Sequence, residues 1–152
     1  MEITHNNFLI STDKSKLQIN VIYDYLSNRS YWAENIPLEI VERSIANSIA
    51  FGVYHQEENT LKQLGFCRVV SDLSTFAYLA DVFILEEYRG KGLSKFLVET
   101  VLKHHDLQGL RRWILATLDA HGLYTQYGFE PLDKPQNFMQ IKTVNPYGVI
   151  NC

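Results

Sequence analysis

The sequence predicts an α+β fold built on a mixed sheet, and three observations indicate it. Two strand-like stretches, SIAFGVYHQ and LKQLGFCRVVSD, flank the turn-forming tetrapeptide EENT and predict a β-hairpin. Residues 75–85 (TFAYLADVFIL) are apolar on both faces, which is typical of a central strand covered by helices on either side. A helical segment then leads to another buried strand, so hairpin and crossover connections occur in one chain.

The first third of the chain is predicted to hold one strand and two helices. Residues 7–11 (NFLIS) form the short strand. Apolar residues recur at helical spacing from Leu17 to Leu26, which predicts a helix over 15–27. After the loop SNRSYWAENIP, Pro37 suits the first turn of a second helix, whose apolar stripe runs on to Ile49.

The last third is predicted to continue with alternating helices and strands. Gly90 and Gly92 open a helix with one apolar face, and RRWILAT (111–117) is a buried strand. A short helix near 120–127 ends at Gly128, a natural position for a C-cap glycine. The segments FEPL and NFMQIKTV close the chain as two short strands, which gives the order β-α-α-β-β-β-α-β-α-β-β.

Length and composition predict one globular domain over residues 1–152, with 46% apolar and 20% charged residues. Fourteen basic against seventeen acidic residues give a net charge of −3, which argues against a nucleic-acid partner. We find no stretch typical of a membrane span and no signal-peptide pattern, so a cytoplasmic location without membrane partners is expected.

No metal is expected from the cysteine and histidine pattern. Neither Cys67 nor Cys152 has the spacing of a metal ligand, and Cys67 is expected to be a small buried apolar residue. The pair His104–His105 fits a solvated helix end better than a metal site.

A glycine turn between the strand 75–85 and the following helix has the properties of a phosphate site. The first N–H groups of a helix have no intrahelical partner, and glycines let an anion approach the backbone closely. Arg89, Lys91 and Lys95 add positive charge beside this turn. The spacing fits neither GxxxxGK[ST] nor the dinucleotide fingerprint GxGxxG, because Lys95 occupies the third glycine position of the latter.

Two motifs carry a resemblance to the Gcn5-related N-acetyltransferase (GNAT) superfamily. The run Arg89-Gly-Lys-Gly-Leu-Ser94 is similar to the acetyl-CoA signature [QR]-x-x-G-x-[GA], with Ser94 in place of Gly or Ala. The run Ala120-His-Gly-Leu-Tyr-Thr-Gln-Tyr-Gly-Phe129 is similar to the motif A-x-x-L-Y-x-x-x-G-F at every fixed position. Glu86 replaces a frequent proline, and Thr117 stands where the family often has Asn.

The resemblance implies a twisted, mostly antiparallel sheet flanked by helices on both faces. It also implies an N-acetyltransferase that moves the acetyl group of acetyl-CoA to a primary amine, by direct attack through a tetrahedral intermediate. Small-molecule amines are the expected acceptors, and homodimers are common among similar proteins. By resemblance, Phe83 and Ile84 offer backbone groups to the pantetheine arm. The pyrophosphate would be cradled by residues 89–94, namely Arg89, Gly90, Lys91, Gly92, Leu93 and Ser94.

Tyr124 and Asp81 are the candidate catalytic residues. The motif match makes Tyr124 the candidate general acid for the departing thiolate, since a phenol (pKa about 10) and a thiol (about 8.5) are close in acidity. The alternative is a tyrosine that only packs the end of a helix. Asp81 could accept the ammonium proton, bind a cationic substrate, or cap a neighbouring backbone N–H. Weaker base candidates are Glu34, Asp119 and His121.

Tyr31 and Trp32 are the candidate acceptor-binding residues. They lie in the loop between the first two helices, which by resemblance borders the acceptor site. Aromatic walls there could hold an apolar or cationic acceptor, although one or both rings could instead fill the core.

Three other functions stay open at this point. A domain of this fold could bind acyl-CoA without catalysis, or the glycine turn could serve a nucleotide-binding regulator. Within the enzyme class, the acyl group could be longer than acetyl, or the acceptor could be a protein amine. The sequence argues against a polyamine acceptor, because Ala80 occupies a position where some polyamine-acetylating relatives carry a glutamate.

Overall fold

The computed structural model describes residues 1–148 of the chain. The strands in this range are β1 (Glu2–His5), β2 (Phe8–Ser11), β3 (Ile49–Glu57), β4 (Thr60–Ser71), β5 (Phe76–Ile84) and β6 (Arg112–Ile114). The α-helices are α1 (Ile19–Asp24), α2 (Leu38–Ala46), α3 (Leu93–Leu102) and α4 (His121–Thr125). Among the described residues, no helix has both the length and the apolar character that a membrane span requires.

The six strands form one sheet in the order β1-β2-β3-β4-β5-β6. Every neighbouring pair is antiparallel except β5 and β6, which are parallel and pair only from Phe76–Arg112 to Tyr78–Ile114. The α+β fold with a mixed, mostly antiparallel sheet is therefore confirmed. The predicted hairpin is also present, since β3 and β4 join at Glu57–Thr60.

Helices pack on both faces of the sheet, and an apolar cluster fills each of the two interfaces. In β3, Phe51 contributes to the cluster with α3 and α4, whereas the neighbouring Ala50 contributes to the cluster with α1 and α2. Successive side chains of a strand point to opposite faces, so a strand buried on both sides must be apolar throughout. Leu97 on α3 and Ile22 on α1 are fully buried in these two clusters.

The predicted helix over 15–27 is wrong at its start and changes type at its end. A 3₁₀ turn over Lys14–Lys16 is followed by extended Leu17, and α1 begins only at Ile19. Gln63 of β4 explains the break: its Oε1 accepts from the Gln18 N–H at 2.7 Å, and its own N–H donates to the Gln18 side chain. A π-helical turn over Tyr25–Arg29 then continues α1.

The two strands expected in FEPL and NFMQIKTV are not formed. Within residues 129–148 the only regular element is a 3₁₀ turn over Pro135–Asn137. A strand forms only where it exchanges main-chain hydrogen bonds with a neighbouring strand, and neither segment pairs with a strand in the described part of the chain. The strand expected over 111–117 is shortened to β6 for a related reason, because β5 and β6 separate beyond Ile114. The strand β1 was not predicted.

Candidate functional site

A cleft opens where β5 and β6 separate. Beyond Tyr78 and Ile114 the two parallel strands no longer pair, and a cavity of about 870 Å³ lies between the end of β5 and the segment 115–120. The loop after α1 and the buried end of α4 complete its walls. The part of β5 from Leu79 to Ile84, which includes Phe83, therefore lines the cavity with its main chain free of a strand partner on the β6 side.

The glycine turn lies at the end of this cleft and leads into α3. Gly90 (φ +80°) and Gly92 (φ +76°) both adopt left-handed backbone conformations, which glycine adopts without strain. Gly92 is the N-cap of α3 and no side chain caps this helix end, so its first N–H groups are free for an anion. A Cβ at either glycine would meet no atom within 4 Å, so the space above the turn is open.

Arg89 connects the glycine turn to the helical layer on the other face. Its Nε donates to the Ile84 carbonyl oxygen at 3.2 Å and its Nη2 to the Tyr25 hydroxyl at 3.0 Å. The Tyr25 ring stacks on Phe83 with centroids 4.0 Å apart. Part of the Arg89 guanidinium therefore fixes the turn against β5. Lys91 is exposed, and its Nζ lies 5.5 Å from the Tyr88 ring centroid.

Tyr124 reaches the cavity from α4 as a protonated phenol. Its side chain is 7% exposed, packs edge-on against Phe129 at 5.7 Å, and contributes to the cavity wall. Burial is the main cause that raises the pKa of Tyr124 to about 12, because a phenolate is poorly solvated in this environment. The hydroxyl group can therefore donate a hydrogen bond across the whole physiological pH range.

Asp81 occupies a β-bulge in the cavity wall. The register between β4 and β5 shifts by one residue between Phe66 and Arg68, and Asp81 there has φ +55°, a conformation that Asp tolerates better than most residues. Its Oδ2 lies 2.6 Å from the Nε of Arg68, and its Oδ1 accepts from the Trp32 indole at 2.9 Å. The buried carboxylate is thus paired, and neither oxygen is without a hydrogen-bond donor.

Tyr31 and Trp32 form an aromatic wall of the same cavity. They are 58% and 41% exposed, so they do not fill the core, and their rings meet edge-on at 5.0 Å. The Tyr31 hydroxyl accepts from the Leu118 N–H at 3.0 Å, which ties the loop after α1 to the segment that follows β6. The two aromatic residues therefore bridge the two sides of the cleft.

The weaker candidates are dispersed. Asp119 lines the cavity, Glu34 and His121 are exposed, and His104 is buried away from the cavity against Phe51. No three His, Cys, Asp or Glu side chains of residues 1–148 gather as metal ligands would.

Sequence reasoning missed several residues that line the cavity, among them Tyr25, Arg68 and Tyr147. Arg68 carried a usable signal, because a lone charge in the apolar strand LGFCRVV requires a buried partner and Asp81 is the lone charge of the neighbouring strand. No sequence pattern pointed to Tyr147, because its approach to the cleft depends on the path of residues 138–147.

Comparisons with known proteins agree on one family. A family model described as "Acetyltransferase (GNAT) domain" matches residues 47–131. A "putative acetyltransferase" of Gibberella zeae is 31% identical over 139 residues, which cover 80% of this chain and 77% of that protein. A crystal structure from Xanthomonas campestris pv. campestris, of a "putative acetyltransferase belonging to the gnat family", is 46% identical with a TM-score of 0.89. It covers 96% of this chain and 100% of that chain.

A more distant structure shares the fold. The Clostridium acetobutylicum "predicted acetyltransferase with acetyl-CoA" has a TM-score of 0.62 at 13% identity, over 90% of this chain and 95% of that one. The matched model spans β3 to α4, the part of the chain that builds the cleft, the glycine turn and Tyr124. On this evidence the chain is an acetyltransferase and belongs to the GNAT family.

Proposed function

We propose that the protein transfers the acetyl group of acetyl-CoA to the primary amine of a small molecule. The observation that carries the proposal is one cavity whose lining includes both Tyr124, a protonated phenol, and Arg89 and Ser94, which flank the uncapped N-terminus of α3 at Gly92. An anionic cofactor with a reactive thioester at its far end fits such a cleft. The Clostridium acetobutylicum relative with acetyl-CoA supports the choice of cofactor.

The chain fits this cofactor at the glycine turn. The open space above Gly90 and Gly92, together with free N–H groups and the helix dipole, suits a diphosphate. Residues 89–94 would hold the diphosphate, with Arg89 bracing the turn and Lys91 adding exposed positive charge. The free main chain of β5 near Phe83 and Ile84 would hold the pantetheine arm, and acetyl-CoA would supply an activated acetyl thioester.

Tyr124 would assist departure of the thiolate mainly by hydrogen-bond donation. Its pKa of about 12 lies well above that of a thiol (about 8.5), so complete proton transfer to sulfur would cost about 5 kcal/mol at those values. Because burial raises the pKa of Tyr124, we replace the expected proton transfer to the thiolate with hydrogen-bond donation. A hydrogen bond that strengthens as negative charge develops on sulfur still lowers the barrier.

Asp81 would act on the acceptor side of the cleft. Its carboxylate fixes the indole of Trp32 and pairs with Arg68, so we assign it the positioning of the aromatic wall rather than the removal of the amine proton. Tyr31 and Trp32 would then contact the acceptor, whose amine must enter as the neutral base to attack the thioester.

Binding of CoA to a Gly92→Glu variant tests the cofactor assignment. The new side chain would place a negative charge over the free N–H groups, so we expect calorimetric affinity for CoA to fall at least about 100-fold. Gly109→Glu is the matched control, because Gly109 also has a positive φ (+72°) and open surroundings outside the cleft. Equal CoA affinity in the two variants would contradict the cofactor site.

Release of free CoA thiol with a panel of small primary amines tests the reaction itself. We expect wild-type protein to release thiol only when a suitable amine is present. Tight CoA binding without turnover on any amine, peptide amines included, would instead favour a non-catalytic acyl-CoA-binding module.

A further inference from the structure

The cleft has an apolar floor on the sheet face that turns toward α1 and α2. In β5, Ala77 and Leu79 belong to the cluster with α3 and α4, so Tyr78 between them points to the opposite face. Tyr78 lines the cavity and is 37% exposed. Its cross-strand partner on β4 is Val70, which is 41% exposed. Apolar side chains grouped at an open cavity favour the burial of an apolar ligand there.

Three further aromatic rings line the same part of the cavity. Tyr31 and Trp32 reach it from the loop after α1, and Tyr147 reaches it from the end of the described chain. Tyr147 also packs against the cluster of α1 and α2, so it lies on the sheet face to which Tyr78 points. Several rings around one space suit a flat apolar group, because aromatic rings pack face to face with an offset or edge to face.

The two charges buried beside these rings neutralise each other. The Nε of Arg68 lies 2.6 Å from Asp81, and its Nη1 donates to the Ser48 hydroxyl at 3.3 Å. The second oxygen of Asp81 accepts from the Trp32 indole. An anionic ligand group here would lie close to the carboxylate, and a cationic one close to the guanidinium. Either group would lose its hydration without gaining an unpaired partner, which is unfavourable.

The other charged residues near the rings are exposed. Arg29 lines the cavity, and its Nε lies 3.2 Å from an Asp24 carboxylate oxygen. Asp119 lines the cavity from the segment after β6. Water solvates charges at exposed positions and salt screens them, so each contributes little to the binding of an oppositely charged group. The interior beside the rings therefore favours a neutral ligand.

We propose that the acceptor is a primary amine carried on a neutral, planar apolar body without an acidic group. The body packs against Tyr78, Trp32 and Tyr147, which makes Tyr78 and Tyr147 specificity-determining residues. This inference rests on the proposed acetyl transfer and names its acceptor class. The products are the acetamide of the amine and free CoA: the nitrogen–carbon bond forms, the carbon–sulfur bond breaks, and the proton lost by nitrogen balances the proton of the thiol.

Release of CoA thiol with four matched amines tests the acceptor class. The amines are 2-phenylethylamine, propylamine without the ring, phenylalanine with an added carboxylate, and phenylalaninol with a neutral hydroxymethyl group in its place. At equal concentrations of neutral amine, we expect kcat/KM for 2-phenylethylamine to exceed that for propylamine at least about 10-fold, because the ring is buried. We expect kcat/KM for phenylalanine to fall at least about 100-fold below that for phenylalaninol, because its carboxylate finds no free cation.

The outcomes separate this inference from the transferase reaction. If propylamine or phenylalanine matched 2-phenylethylamine in kcat/KM, the neutral aromatic acceptor would be rejected while acetyl transfer itself stood. If no amine released thiol, calorimetry with the protein and CoA would decide. Tighter binding of 2-phenylethylamine than of propylamine would then support the site without the reaction, and equal or absent binding of both would reject it.

Tyr78→Ala and Tyr147→Ala test the residues themselves. We expect each to raise the KM for 2-phenylethylamine about 10-fold and to leave the KM for propylamine and the affinity for CoA unchanged. Phe76→Ala is the matched control, because Phe76 lies two residues before Tyr78 on the same face of β5, is 39% exposed, and does not line the cavity. An equal rise in the KM for both amines, or an equal effect of Phe76→Ala, would overturn the assignment.

Discussion

The chemistry available to Tyr124 depends on its burial. The side chain enters the cavity from α4, and burial keeps it protonated far above neutral pH. If its hydroxyl stabilises the leaving thiolate, Tyr124→Phe should lower kcat by roughly 10²–10⁴-fold and change CoA affinity little. Steady-state kinetics together with CoA calorimetry measure the two effects separately.

The pH profile gives a second measure of the same role. With a pKa near 12, ionisation of Tyr124 should not reduce kcat between pH 9 and 10.5. A fall in that window that disappears in Tyr124→Phe would contradict the stated environment of the residue. An unchanged kcat in Tyr124→Phe would remove the hydroxyl from the mechanism.

The paired state of Asp81 distinguishes positioning from proton removal. Asn at this position keeps an oxygen for the Trp32 indole and tolerates the positive φ, but it removes the charge opposite Arg68. We expect Asp81→Asn to lower kcat less than about 10-fold, whereas loss of a general base typically costs 10²-fold or more. We also expect a loss of about 1–3 kcal/mol in the free energy of unfolding, because Arg68 loses its charged partner.

Asp119→Asn is the matched control for that experiment, since Asp119 lines the same cavity. It should leave the free energy of unfolding within about 0.5 kcal/mol of wild type. A collapse of kcat in Asp81→Asn, without a matching rise in the KM of the acceptor, would identify the carboxylate as the base.

The loop between α1 and α2 is hydrogen-bonded to β5 through Trp32 and to the segment after β6 through Tyr31. The Tyr31 hydroxyl accepts from the Leu118 N–H, and no packing in the core holds the exposed ring. Tyr31→Phe should therefore raise the KM of the acceptor several-fold while leaving CoA affinity unchanged, because the glycine turn is built from other elements. Tyr23→Phe on α1, outside the cavity lining, is the control. If both variants changed the KM of the acceptor equally, the loop would have no specific role in acceptor binding.

The molecule as a whole should lose stability in alkali. Burial raises the pKa of Tyr124 to about 12 and raises that of the fully buried Tyr54 as well, whereas tyrosines of the unfolded chain titrate near 10. Above pH 10 the unfolded state releases protons that the folded state retains. The contribution of these groups is thus fully present below pH 10 and is lost as pH rises toward the folded-state pKa.

Urea unfolding from pH 8 to pH 11 measures this loss. We expect the free energy of unfolding to fall above pH 10, with a limiting slope of about 1.4 kcal/mol per pH unit for each buried tyrosine. Tyr54→Phe should reduce the slope without lowering stability at pH 7, because the Tyr54 hydroxyl is buried without a hydrogen-bond partner in the described chain. Tyr127→Phe, a partly exposed position, should leave the slope unchanged.

Local patterns were enough to predict the elements that build the glycine-turn end of the cleft. The doubly apolar strand 75–85, the glycines at 90 and 92 and the helix after them lie close together in the chain, and all three occur in the structure as β5, the turn and α3. The conformation of a glycine turn and the exposure of helical N–H groups are local properties. The structure also places Tyr31 and Trp32 in the lining of the cavity, while their expected contact with an acceptor stays a prediction.

Contacts between residues far apart in the sequence determined the features that local patterns did not predict. Gln63 interrupts the predicted first helix from 45 residues away, and Arg68 converts Asp81 from a lone buried charge into a paired one. The length of β6 depends on where it leaves β5. The segment 137–144 has strand-forming residues but pairs with no strand in the described part of the chain. The sequence alone therefore determined the fold class, the glycine turn and the family resemblance, because these follow from periodicity and short motifs. Only the tertiary structure decided the pairing of Asp81, the raised pKa of Tyr124 and the point where β6 leaves β5, because each depends on which remote groups exclude water or supply a partner.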